Sequence, residues 1–128
     1  MATQTEKTYF GDWMEWMAER MYNLESVTVA QDADADAGLV SGELLETSGD
    51  KKVVVATGAS CDSILVEPVA LADLIAGDVE RLALVRGPAV INSAQVTVAA
   101  AQKTAALAAL LALDIVAQAN PTMTTQTT

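Results

Sequence analysis

Apolar and polar positions change rhythm twice along the chain. Residues 9 to 24, "YFGDWMEWMAERMYNL", carry a helical period, with Phe10, Trp13, Met14, Met17, Met21 and Leu24 recurring at spacings of three and four. Asp12, Glu15 and Glu19 fall on the opposite face, while Tyr9 and Trp16 widen the apolar stripe on one flank. The spacing predicts an amphipathic helix, either packed on the protein's own core or presented to a partner. From Ser26 the texture is that of short strands: "SVTVA" at 26 to 30, "GELLE" at 42 to 46, "KVVVA" at 52 to 56, "ILVEPVAL" at 64 to 71, "VERLALVRG" at 79 to 87 and "PAVIN" at 88 to 92. The turn clusters "TSGDK" and "TGASCDS" separate them, and "ADLIAGD" is expected to be a loop. Strands at this interval predict a small β barrel or sandwich.

After Val98 the rhythm becomes helical again. "AAAQKTAALAALLAL", residues 99 to 113, is dense in the best helix formers. Leu107, Leu110 and Leu111 form its stripe, which is expected to pack on the sheet or build an interface with a neighbouring subunit. "DIVA" then predicts a closing strand. The resulting plan is an N-terminal arm with an amphipathic helix over 1–25, a β-rich α+β domain over 26–118, and a polar, flexible tail over 119–128.

Composition narrows the function. The chain has 128 residues, of which 52% are apolar but only 4% aromatic, so the core must be built from Val, Leu, Ile and Ala. Seventeen acidic residues against seven basic ones give a net charge of −10. Phosphate backbones repel such a surface, so no nucleic-acid partner is expected. The longest apolar run, "AALAALLAL" at 105 to 113, is too short to span a bilayer, and the first ten residues, "MATQTEKTYF", lack the basic start and apolar run of a signal peptide; no membrane partner is expected.

Candidate chemistry is sparse. The absence of histidine removes the commonest general base and the commonest transition-metal ligand. Cys61, the single cysteine, stands in a turn without an activating partner and is expected to be structural. No phosphate loop or nucleophile elbow occurs. The expectation is a non-enzyme without cofactors. One stretch resembles a metal site: in "QDADADAGLVSGE", Asp32, Asp34, Asp36 and Glu43 occupy positions one, three, five and twelve of an EF-hand calcium loop. Against calcium, Ala37 stands where the loop needs glycine, and the flanks are strand-like. A solvated turn between strands is the simpler expectation, with a calcium-binding module as the alternative.

The β-rich middle resembles the phage lambda-type head decoration protein family over roughly residues 26 to 117. The resemblance rests on "VTVAQDADADAGLVSGELL", with its "AGLVSG" step at 37 to 42, then "KKVVVATGAS", "ILVEPV", "LALVRGPAVIN" and "AALAALLALDIVA", in that order. Ser63 and Asp114 stand where that family usually has glycine. The resemblance implies a β-tulip-like α+β trimer, made in the host cytoplasm and placed on the outer surface of the virion. There it would clamp the major capsid protein at three-fold and quasi-three-fold sites. In that setting Tyr9, Phe10, Trp13, Met14, Trp16 and Met17 are the expected capsid anchors, and Leu107, Leu110 and Leu111 the expected trimer contacts. Another small phage structural protein, such as a tail or fibre-base component, is the remaining alternative.

Overall fold

The aromatic segment does not form the single helix that its spacing predicts. In the computed structural model, which describes residues 10–31 and 38–119, it breaks into a helical turn α1 (Phe10–Trp13), a strand β1 (Met14–Met17) and a second turn α2 (Arg20–Asn23). The physical reason lies in the register of β1. Met14 pairs with Ile91 and Met17 with Ala89, while Trp16 pairs with Val90, leaving Glu15 as the extra residue of a bulge. A regular strand returns to one face every second residue, and one inserted residue stretches that to three. The bulge therefore reproduces the i, i+3 spacing of a helix.

After α2 the chain enters β2 (Leu24–Val29), β3 (Leu44–Ser48), β4 (Lys51–Val54) and β5 (Cys61–Leu65). A short helix α3 (Leu71–Ala76) leads to β6 (Val79–Leu84) and β7 (Ala89–Asn92), and then α4 (Lys103–Leu111) and β8 (Ile115–Gln118) complete the order. The β-rich α+β domain expected from the sequence is present, and it holds two sheets. Strands β2-β4-β3-β5-β6 are hydrogen-bonded in a ring. Its broad seam is β2 against β6, paired over six residues from Leu24↔Leu84 to Val29↔Val79; its narrow seam is the single parallel pair Val29↔Lys52. The second sheet has the order β1-β7-β8. There β7 lies antiparallel to β1 and parallel to β8, and α4 supplies the crossover that a parallel pair requires.

Two cores follow from the pleat. Neighbours in a strand point to opposite faces, so the adjacent buried pairs Leu44/Leu45 and Ile64/Leu65 must serve different cores. Val29, Leu45, Leu65, Val54 and Val79 come from each strand of the ring and pack together with Leu39, Val69 and Leu74. Leu44, Ile64, Leu84 and Val55 pack instead with Ala89, Ile91 and Ile115 of the second sheet, with Ala106 and Leu110 of α4, and with Trp13.

Two further expectations are corrected. "ADLIAGD" is not a loop: its good helix formers make α3, which ends before Gly77 and drops Leu74 into the ring core. The C-terminal helix proper is shorter than 99–113, because Ala100–Gln102 form a 3-10 turn first. The tail beyond residue 119 lies outside the described residues. Among the described residues, no helix is long and apolar enough to cross a membrane.

Candidate interaction surface

The expected anchors separate into three groups. Trp13 is fully buried, with its indole over Gly42 and its Nε1–H donating to Ser41 Oγ at 2.9 Å. It has no surface to offer a partner, and this corrects the expectation that it is a capsid anchor. Gly42 is required here: its φ is +97°, and an added Cβ would lie 3.0 Å from Trp13 Cδ1. The "AGLVSG" step therefore holds the first tryptophan in place. Met14 and Met17 also turn inward and pack, half-buried, against the same core. Among the anchors whose side chains are described, Trp16 alone points away and is 52% exposed. Tyr9 lies outside the described residues, and Phe10 begins α1. Met21, assigned by its spacing to the apolar face, is instead among the most exposed apolar residues.

The three leucines of α4 divide in the same way. Leu110 is fully buried in the protomer's own core and cannot form a subunit contact, whereas Leu111 is 58% exposed and Leu107 is half-buried against the core. Gln102 fixes the start of the helix by accepting the Gly58 N–H at 2.8 Å.

Strand register shows a surface that periodicity did not. Trp16 is the partner of Val90, and Val90 is the partner of Val116. These three stand in a row across β1, β7 and β8, on the face opposite Ala89, Ile91 and Ile115, which are buried. Neither Val90 nor Val116 was singled out from the sequence. The available signal was their alternation with buried neighbours, but only pairing shows that they align with Trp16.

The junction beside this face is polar and well tied. Asn23, fully buried, donates from Nδ2 to the carbonyls of Arg86 at 2.8 Å and Pro88 at 3.1 Å, and its Oδ1 accepts the Glu19 N–H at 2.8 Å. Arg86 lies over the exposed Tyr22 ring, 5.1 Å from its centroid, donates to the Tyr22 carbonyl, and sits 3.5 Å from Glu25. Asn23 and Arg86 thus anchor α2 to the segment that enters β7.

No reactive or metal-binding constellation emerges among the described residues. Cys61 is buried, and desolvation pushes its thiol up to about 12, far from a reactive thiolate. Asp32, Asp34 and Asp36 lie outside the described residues. Glu43 is buried and its backbone bridges Thr97, so the twelfth position of the apparent calcium loop belongs to the body of the fold. No group of three or more potential metal ligands occurs among the described residues. Among the ion pairs of the described residues is that of Asp78, which accepts the Gln31 N–H at 2.7 Å and pairs with Lys51 at 2.7 Å. The Lys51 partnership holds the Asp78 carboxyl below the usual carboxylate range and Lys51 above the usual lysine range.

Among known proteins, no curated sequence matches the chain. The family model for bacteriophage lambda head decoration protein D matches residues 3–115.

Proposed function

The chain belongs to the bacteriophage lambda head decoration protein D family, whose role is structural, and from that premise we propose that it is a non-catalytic cement protein of the phage head. The observation that carries the reading is the extent of the match, which takes in both sheets up to Ile115 and all of α4. In this reading the protein is a β-tulip-like trimer that sits on the outside of the expanded capsid at three-fold and quasi-three-fold sites. There it binds the major capsid protein and stabilises the shell against internal DNA pressure. Leu111 and the outer part of Leu107 form the trimer contact, replacing the buried Leu110.

The mechanism is binding energy. Apolar area removed from water at each subunit contact contributes roughly 25 cal/mol per Å². A ligand that binds only the expanded lattice stabilises that state by mass action, and many copies repeat the gain over one shell. A fold with a buried thiol and a hydrophobic protomer core suits that role.

Light scattering should give three times the 13.3 kDa chain mass, and sedimentation with purified cognate shells should show binding to expanded shells and not to unexpanded ones. Failure of the wild-type chain to bind expanded shells would sink the proposal.

A further inference from the structure

We infer that the outer face of the β1-β7-β8 sheet, centred on the row Trp16–Val90–Val116, is the surface that docks on the capsid, and that it takes an apolar strip of shell protein flanked by basic side chains. This inference rests on the cement reading above and names the surface that performs it.

The first observation is the row itself. Its members are consecutive partners in register, one on each strand, so their side chains emerge side by side on a rigid sheet. The opposite face is fixed to the core through Ala89, Ile91 and Ile115, leaving this face to the outside. Trp16, half exposed at the edge of the row, is the residue type that most often dominates binding at interfaces.

The second observation is charge. Glu15 is the bulged residue beside Trp16, Glu19 caps the N-terminus of α2 and accepts the Met21 N–H at 3.3 Å, and Asp114 immediately precedes β8; all three are exposed. On the basic side, Arg86 is already engaged by Glu25 and Tyr22, leaving Arg20 as the other base of this end. An apolar row with an acidic rim complements a basic-edged apolar strip. A second copy of the chain fits less well, because each molecule carries a net charge of −10 and pairing this face with itself would set carboxylates against carboxylates.

The test compares wild type with Trp16→Ala and Val116→Glu for binding to expanded heads stripped of decoration protein, with Ile75→Glu, on α3 and away from this sheet, as the control. The expected result is a loss of affinity of about 30-fold or more for the two face variants, an unchanged control, and unchanged self-association by light scattering. Wild-type affinity should also fall as salt is raised, and fall further in Glu15→Lys. Wild-type-like binding by both face variants would overturn the inference while leaving the cement reading intact. Loss of self-association in those variants would overturn it too, by assigning the face to contacts between copies. If the wild type itself does not bind, the cement reading falls first and the docking face with it.

Discussion

Gly87 and Asp114 meet backbone to backbone. A Cβ built on Gly87 would overlap the Asp114 carbonyl and come within 2.9 Å of the Asp114 Cβ, while the Gly87 N–H donates to the neighbouring Leu113 carbonyl at 2.8 Å. Asp114 itself holds a φ of +68°. This contact lets the entry to β7 and the entry to β8 lie against each other, so it sets the register of the parallel pair.

Gly87→Ala should therefore be costly, because neither backbone can retreat without disturbing Ala89↔Ile115 pairing. A loss of about 2–4 kcal/mol in urea denaturation is expected. Asp114→Gly should act oppositely and raise stability by up to about 1 kcal/mol, since glycine adopts positive φ without a Cβ penalty. Equal stability in both variants and the wild type would refute the packing argument.

The two tryptophans should separate spectroscopically. In Trp16→Phe the remaining indole is the buried one, so emission should be blue-shifted and resist iodide. In Trp13→Phe the emission should be red-shifted and readily quenched. Ser41→Ala, which removes the acceptor of the Trp13 N–H, should cost about 1 kcal/mol.

Cys61 should report unfolding. With its thiol pushed up to about 12 by burial, against about 8.5 in an unfolded chain, alkylation at about pH 8 should be at least ~100-fold slower in the native protein than in denaturant. The folded-state value is the higher one, so the contribution of the neutral thiol is complete below about pH 8.5 and is lost as pH rises toward the folded value. Stability should fall by up to about 1.4 kcal/mol per pH unit in that window, and Cys61→Ala should flatten the slope.

Asp78 should matter on the acid side. Its folded-state value is lowered by Lys51 and by the Gln31 N–H, so its contribution is present above about pH 4, the unfolded value, and is lost as pH falls through the lower folded one. The stability difference between wild type and Asp78→Asn should hold steady near neutral pH and shrink on acidification. Because both partners are exposed, added salt should shrink it as well.

Much of the fold was legible because local composition and tertiary context agree. The valines of β4, the alternation in β6 and β7, and the Ala/Leu run of α4 all formed what their propensities favour. The adjacent apolar pairs Leu44/Leu45 and Ile64/Leu65 also carried the sign of strands covered on both faces. The aromatic segment is ambiguous in sequence because a β-bulge imitates a helical period, and pairing with β7 decides between the two only in three dimensions. The site suffered from the same limit. Spacing could nominate Trp13 and Trp16 but could not show that one is locked over Gly42 and the other left outside. Nor could it align Trp16 with valines more than seventy residues away, since register is a long-range property.

The three-stranded sheet draws on the start, the middle and the end of the chain, and this sets the order in which a growing polypeptide can complete it. Every strand of the ring has been synthesised by Leu84, but β1 must wait for β7, and the row from Trp16 to Val116 does not exist until the last strand has left the ribosome. A polypeptide interrupted before Ile115 would hold all five ring strands and yet lack the finished outer face. Synthesis thus supplies the ring strands first, while the core shared with Ala89, Ile91, Ala106, Leu110 and Ile115 and the outer face of the second sheet are completed together at the last strand.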